Sequence, residues 1–152
     1  MKYHVEILAP AKVAYLRNIG PYGSRENFEL MTQFKTWIAE NNLEQQVEKT
    51  GILAIARDNP AITAPENCRF DLLLKIREDF YPELPVQVAD FAGGKYAVFE
   101  VSHTQEAIQE FWAQLPQIIE ENHLQTKELP LIERYKAGIS DKQPSEFLLP
   151  LV

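Results

Sequence analysis

The chain has 152 residues, a formal net charge of −7 and 45% hydrophobic residues, which is the size and composition of one ordinary globular domain. The excess of acidic residues argues against direct nucleic-acid binding, because phosphate contacts need clustered lysine and arginine. No apolar run approaches the ~20 residues of a membrane-spanning helix, and the N-terminus lacks the pattern of a signal peptide. We therefore expect a cytoplasmic protein that neither enters a membrane nor binds nucleic acid directly.

The cysteine and the histidines predict neither a disulfide nor a metal site. Cys68 is the one cysteine and is expected to be a small buried side chain. His4, His103 and His123 are too scattered along the chain to suggest a shared metal ion. No cofactor is expected, because the sequence has no glycine-rich loop of the kind that holds a phosphate group.

The first half of the chain predicts a strand at its start and then a strand, a helix and two strands. The initial strand is predicted at 3–8. β-Forming residues at 12–18 lead to a Gly-Pro-Tyr-Gly turn, and apolar side chains then recur at helical spacing to about residue 43. An apolar run at 51–58 and an alternating segment at 68–76 predict two further strands.

The second half repeats this order about eighty residues later. A linking strand is predicted at 86–94, and the strand at 95–101 leads into an amphipathic helix. Pro116 is expected to kink this helix or to end its first segment, because proline removes a backbone donor. Strands at 130–138 and 144–152 complete the repeat.

We therefore predict one α+β domain over 1–152, built from two strand–helix–strand–strand units with an antiparallel sheet and a pseudo-two-fold relationship. The repeats are expected at about 10–77 and 95–152, with 78–94 as the linker. Each unit has an apolar sheet face and an apolar helix stripe. Pairing the units is expected to bury both and to leave a central ligand cleft at their junction.

Glu133 is an unexpected carboxylate on an otherwise apolar strand face. In an extended strand it shares a face with Leu131 and Tyr135, and counting between the two units sets it near Ala54. Burying an isolated carboxylate costs several kcal/mol unless it is paired, hydrogen-bonded or protonated. A cationic, planar or apolar ligand held among aromatic rings is one explanation, with Glu133 as its counter-charge.

Glu133 also has a structural explanation. An ion pair with Arg17, Arg69 or Arg134 would neutralise it, and exposure to water would leave it without a need for a partner. The sequence leaves these alternatives open. It favours a binding pocket over an enzyme, because no pair of a nucleophile and a base is evident.

Three aromatic residues have two explanations as well. Trp112 lies on the apolar stripe of the second helix, where core packing and pocket lining both fit. Tyr15 and Tyr96 occupy comparable places in the two units. Each fits a core position with its hydroxyl at the rim, which is the common arrangement for a tyrosine.

Several segments together resemble the GyrI-like small-molecule-binding domain, which is also the effector-binding domain of AraC-type and MerR-type multidrug-responsive regulators. The segments are VAYLRNIGPYG (13–23), DNPAITAPENCRFDLLLKI (58–76), GGKYAVFEV (93–101), ERY (133–135) and EFLLPLV (146–152). The resemblance covers essentially the whole chain. Its most specific feature is the order of the YLR, GPY and CRFD pieces.

The resemblance implies a cleft between the units, with Glu133 projecting into it and Trp112 lining it. The predicted ligand-binding residues are Glu133, Trp112, Tyr15, Tyr96, Tyr135 and Phe147. The expected ligands are small hydrophobic or cationic aromatic compounds. The chain departs from the family pattern at 101–106, where VSHTQE replaces an H-x-G-x-Y type of turn, so the entrance to the cleft is expected to differ.

The resemblance leaves three functions open. The first is a stand-alone small-molecule-binding protein, which we favour. The second is a DNA gyrase inhibitor-like protein with gyrase as its partner. The third is a hydrolase of cyclopropane-containing toxins, in which Glu133 would be catalytic by orienting water or stabilising positive charge. No helix-turn-helix segment is evident, so a one-component transcription regulator is not expected.

Overall fold

The computed structural model describes residues 1–136 and 144–152. The strands in these ranges are β1 His4–Leu8, β2 Ala11–Ile19, β3 Ile52–Ala56, β4 Arg69–Lys75, β5 Gln87–Phe91, β6 Gly94–Val101, β7 Ile132–Tyr135 and β8 Ser145–Leu151. The α-helices are α1 Arg25–Glu40, α2 Glu44–Thr50 and α3 Gln105–Glu121, and a short 3-10 helix covers Pro65–Asn67. Every predicted strand is present, with bounds that differ by a few residues. Ala137 and Gly138, at the end of the strand predicted at 130–138, lie outside the described residues.

The strands form a single antiparallel sheet in the order β1-β6-β8-β7-β3-β4-β2-β5. Strands β3 and β7 are neighbours at its centre, and they bring the first half of the chain against the second. The predicted α+β class with an antiparallel sheet is confirmed.

The helices cover one face of this sheet. Helix α1 packs on Ala54 and Leu72, and helix α3 packs on Phe147. Ala54 lies opposite Glu133 in β7, and Glu133 lies opposite Phe147 in β8. Directly opposed residues of antiparallel strands point to the same side, so both helices lie on that side. We call it the helix face and its reverse the open face.

The first helix ends close to its predicted end at about residue 43, and a second, short helix follows that was not predicted. Helix α1 ends at Glu40, and α2 follows at Glu44–Thr50, where the sequence pattern did not predict a helix. Asn42 between them has φ 56°, a left-handed conformation that asparagine tolerates better than most residues. This local turn ends α1, and Val47 then anchors α2 on the same core as α1.

Pro116 does not end the second helix, so that part of the prediction was wrong. Helix α3 runs from Gln105 to Glu121 with Pro116 inside it. Proline removes the hydrogen bond to the carbonyl four residues earlier, which belongs to Trp112. Both residues are exposed, so water can bond to that carbonyl in place of the missing donor.

A buried arginine on the open face joins the edge of the sheet to its centre. Arg134 is 3% exposed and donates to Glu6 of β1 at 2.8 and 3.0 Å and to Glu146 of β8 at 2.9 and 3.0 Å. Hydrogen bonding to Arg134 lowers the pKa of Glu6 to about 2. Gly51 makes room for this arginine, because a Cβ there would lie 2.7 Å from the Arg134 Cγ.

Candidate functional site

Glu133 lies at the centre of the sheet on the helix face. Its register partner on β3 is Ala54, as counting between the two units predicted. Its partner on β8 is Phe147, which is 3% exposed. Ala54 is small and apolar, is 7% exposed and packs in the core beneath helix α1. A partly buried acid therefore lies between a small apolar side chain and an apolar ring.

Burial raises the pKa of the Glu133 carboxyl above its ordinary value of 4.5. The hydroxyls of Tyr135 and Ser145 and the imidazole of His103 oppose this rise, but burial is the larger effect. A carboxyl in this state is costly to ionise without a partner cation. These four residues form what we call the Glu133 cluster: Glu133, Tyr135, Ser145 and His103.

The arginines that the sequence offered as partners for Glu133 bind other carboxylates. Arg17 donates from Nε to Asp71 at 2.7 Å, and Arg69 donates from Nη2 to Asp58 at 2.9 Å. Arg134 holds Glu6 and Glu146, as described above, and projects from the opposite side of β7. Within residues 1–136 and 144–152, none of the three arginines forms an ion pair with Glu133.

Three aromatic side chains pack together, from Phe147, the register partner of Glu133, to the surface of α3. Phe111 stacks on Phe147 with ring centroids 4.8 Å apart, and Trp112 meets Phe147 edge-on at 6.1 Å. Phe111 is fully buried, whereas Trp112 is 49% exposed. The predicted apolar stripe of α3 thus divides, with Phe111 in the core and Trp112 at the surface above it. We call Phe111, Trp112 and Phe147 the aromatic wall.

Two members of the Glu133 cluster were not selected from the sequence. His103 is exposed, and its Nδ1 lies 3.0 Å from the Oγ of Ser145. Its ring also meets Tyr135 edge-on with centroids 6.0 Å apart. The only sequence signal was that His103 falls within VSHTQE, the segment that departs from the family pattern. Ser145 at the start of β8 gave no signal, because its role depends on which strands pair.

Tyr135 belongs to the Glu133 cluster as predicted. Burial raises the pKa of its hydroxyl strongly, and the nearby Glu133 carboxylate raises it further. The phenol therefore stays protonated over the whole physiological range. Its hydroxyl can donate a hydrogen bond to the Glu133 carboxylate, but it carries no positive charge to neutralise it.

Tyr15 and Tyr96 do not join the other predicted residues. Both pack on the open face, in the core that contains Val13 and Ile132. Tyr15 donates to Gln87 at 2.7 Å, and Tyr96 is 5% exposed. They line a cavity of about 290 Å³ on that side of the sheet. The predicted set is therefore divided by the sheet, with four residues on the helix face and two on the open face.

Two kinds of feature are absent from residues 1–136 and 144–152. No helix in these ranges has both the length and the apolar character needed to cross a bilayer. No group of three or more histidine, cysteine or acidic side chains is placed to hold a metal ion in the same ranges. Cys68 is buried, as predicted.

Comparison with known proteins gives a family match over nearly the whole chain. Residues 1–149 match the model of the GyrI-like small molecule binding domain. The chain is 42% identical over 151 residues, 99% of each chain, to YosT, a candidate transcriptional regulator from the SPbeta prophage of Bacillus subtilis (strain 168). It is 33% identical over 103 residues to a DNA gyrase inhibitor of Cronobacter sakazakii (strain ATCC BAA-894), a match that covers 64% of this chain and 61% of the inhibitor.

A solved structure shows the same fold. The structure of SAV2435 bound to tetraphenylphosphonium has a TM-score of 0.57 and 18% sequence identity, and the match covers 100% of this chain and 94% of that one. The resemblance found in the sequence is thereby confirmed. On the match to residues 1–149 and the identity with its relatives, the chain belongs to the family of the GyrI-like small molecule binding domain.

Proposed function

We propose that this protein binds hydrophobic or cationic aromatic compounds on the helix face, with Glu133 as the counter-charge of the ligand. The proposal is supported by the partly buried carboxyl of Glu133, whose pKa is raised by burial. Among the described residues, the three candidate arginines pair with other carboxylates. A bound cation would remove the cost of ionising it. The proposal includes a cytoplasmic location for the binding protein.

The aromatic wall supplies the other half of the proposed site. An exposed indole edge-on to a buried phenyl ring offers a face to a flat or aromatic ligand. Cation–π attraction contributes ~0.5–2 kcal/mol, with the larger values where water is excluded. Glu133 lies directly opposite Phe147 in the sheet, so the carboxylate and the Phe147 ring project from neighbouring strands on the same face.

We also propose that the site lies at the junction of two repeated units, at about 10–77 and 95–152 with 78–94 as the linker. The strand order supports this. Counting from the central pair outward, β3, β4, β2 and β5 on one side correspond to β7, β8, β6 and β1 on the other. In each half the helix packs on the same face. Ala54 and Glu133 are then equivalent positions in the two units, one with a small apolar side chain and the other with a carboxylate.

The direct test is calorimetric titration with tetraphenylphosphonium, the lipophilic aromatic cation named in the SAV2435 structure. Glu133→Gln keeps the shape of the side chain and removes its charge, and we expect affinity to fall by about tenfold or more. Glu100→Gln is the matched control, because it removes the same charge from an exposed position on β6. Equal affinities for wild type and Glu133→Gln would refute the proposal.

Inhibition of DNA gyrase is a second candidate function. It is supported by the 33% identity with the Cronobacter sakazakii protein of that name. A supercoiling assay with purified gyrase tests it, and full supercoiling at high molar excess of this protein would exclude it. The hydrolase alternative stays a prediction that depends on Glu133. Its test is turnover of a cyclopropane-containing compound that is lost in Glu133→Ala.

A further inference from the structure

The open face carries a cavity that the proposed cation site does not use. Its volume is about 290 Å³, near the lower end of the ~300–1,000 Å³ typical of ligand pockets. Its lining includes Arg17, Arg57 and Asp71 together with Tyr15 and Tyr96. The sheet itself separates these residues from Glu133, so the two locations are independent of each other.

The charged part of this cavity has two cations on one buried anion. Asp71 is 1% exposed and accepts bonds from Arg17 Nε at 2.7 Å, Arg17 Nη2 at 2.8 Å and Arg57 Nε at 2.9 Å. One carboxylate cannot balance two guanidinium groups, so this trio has a charge of one positive unit. Both arginine side chains are 34% exposed, which leaves them within reach of a ligand.

Arg57 is the better placed of the two to bind a ligand. Arg17 holds Asp71 with two nitrogens in a fork, whereas the bonds recorded for Arg57 among the described residues use Nε alone. The terminal nitrogens of Arg57 are therefore available as a planar pair of donors, the geometry that matches a carboxylate. Tyr96 lies within electrostatic reach of Arg57 at the same cavity.

The rest of the cavity is largely apolar. Val13, Ile55, Leu73 and Ile132 line it, and all four are buried. Asp90 is the other carboxylate of the lining, but it is exposed on the edge strand β5, where solvent screens its charge. The net positive charge of the arginine–aspartate trio and the apolar lining together favour an amphipathic ligand with a single negative charge.

We propose that the open-face cavity binds small aromatic or aliphatic carboxylates, with the carboxylate on Arg57 and the apolar body against Ile55 and Ile132. The protein then has two sites of opposite charge preference, one on each side of the sheet. The site on the open face takes anions, and it is separate from the site around Glu133. Arg17 acts as a positioning residue that holds Asp71 and, through it, Arg57.

The test is titration of the full chain with 2-naphthoate, followed by calorimetry and by amide chemical shifts. We expect saturable binding with shifts at Arg57, Leu73 and Ile132. Arg57→Gln is expected to weaken binding by about tenfold, because the charge-assisted fork is lost. Arg25→Gln is the control, since Arg25 is exposed on α1 and loses the same charge far from the cavity.

Two further variants keep the test decisive if Arg57→Gln is poorly folded. Ala89→Phe places a ring in the lining of the cavity without altering its charges, and we expect it to abolish naphthoate binding. Glu133→Gln is expected to leave naphthoate affinity unchanged and to weaken tetraphenylphosphonium binding. Retained tetraphenylphosphonium affinity in Glu133→Gln would overturn the cation site alone.

Four binding results would overturn the open-face proposal. They are the absence of saturable naphthoate binding, wild-type affinity in Arg57→Gln, wild-type affinity in Ala89→Phe, and equal affinity for the neutral 2-naphthamide. Chemical shifts confined to Tyr135 and Trp112 would also overturn it, because they would place the anion on the helix face.

Discussion

Ala54 and Glu133 lie directly opposite each other on the two central strands of the sheet, β3 and β7. One is a small apolar residue and the other a carboxylate whose pKa is raised by burial. Their Cβ atoms are expected to be about 5 Å apart, as in any directly opposed antiparallel pair. Position 54 is therefore adjacent to the charge that Glu133 brings.

Enlarging the side chain at position 54 is expected to disturb the proposed cation site. Ala54→Leu adds three carbons next to Glu133, and we predict that tetraphenylphosphonium affinity falls by about tenfold or more, as measured by calorimetry. Ala54 is buried in the core, so overpacking should also lower the free energy of unfolding by about 1–3 kcal/mol. Ala113→Leu is the control on the exposed side of α3. Unchanged affinity in a folded Ala54→Leu would show that the ligand does not approach this position.

Trp112 is expected to matter for binding more than for stability. About half of its side chain is exposed whereas Phe111 is fully buried, so Trp112→Ala removes less buried area than Phe111→Ala, and we predict a smaller fall in melting temperature. Loss of its ring should weaken tetraphenylphosphonium binding by ~0.5–2 kcal/mol, the range of a cation–π contact. Phe28→Ala removes an aromatic side chain that is 72% exposed on α1 and serves as the control. Equal losses of affinity in both variants would contradict a specific role for Trp112.

Glu133 should make stability depend on pH in a recognisable direction. Its pKa is raised in the folded state, so the folded protein holds this proton more tightly than the unfolded chain does. The contribution of Glu133 is then most favourable below its ordinary pKa of 4.5 and is lost as the pH rises through the raised value. We predict that Glu133→Gln is more stable than wild type at neutral pH, and that this difference shrinks toward pH 4.5.

Urea denaturation of both proteins across this pH range measures the effect. The charge of His103 acts on the Glu133 carboxyl, so the comparison is repeated in a His103→Asn background. Glu100→Gln shows how much of any difference comes from net charge alone. A stability difference that does not vary with pH would mean that burial does not raise the pKa of Glu133.

Asp71 is expected to be essential for the stability of the open face. Asp71→Asn leaves Arg17 and Arg57 close together without their shared carboxylate. Breaking a buried ion pair costs ~3–5 kcal/mol, and because both arginines are 34% exposed we expect about 3 kcal/mol. Asp79→Asn breaks the exposed pair with Arg77 and should hardly change the urea midpoint. Similar effects of the two substitutions would show that the Asp71 pairs are no stronger than surface pairs.

Much of the architecture is predictable because it depends on local pattern. Alternation at 68–76 placed Phe70, Leu72 and Leu74 on one face, and all three pack against the helices. Helix α2 was missed, because its seven residues contain one buried apolar side chain, Val47, and so show no helical spacing. Pro116 misled the prediction, because its cost depends on whether the freed carbonyl is exposed to water.

The candidate site was predictable only in part. Glu133 and Tyr135 could be grouped because strand alternation places them on one face, and the count between the two units placed Ala54 near Glu133. The position of Phe147 beside Glu133 needed the pairing of β7 with β8. Tyr15 and Tyr96 were assigned to the same group, but β2 and β6 are apolar on both faces, so alternation cannot tell which face a tyrosine occupies. The assignment needed the register of β2 with β4 and of β6 with β8.

The order of polar and apolar residues along the chain was enough by itself to determine the strands, the α+β class and the unusual position of Glu133. These follow from the geometry of neighbouring residues, which repeats every two positions in a strand and every three to four in a helix. The family was indicated separately, by the resemblance of the YLR, GPY and CRFD pieces in their order. Only the tertiary structure decided which acid each arginine binds, that His103 and Ser145 stand beside Glu133, and that the predicted site residues are divided by the sheet. Those facts depend on side chains far apart in sequence, whose distances are set by strand pairing rather than by local pattern.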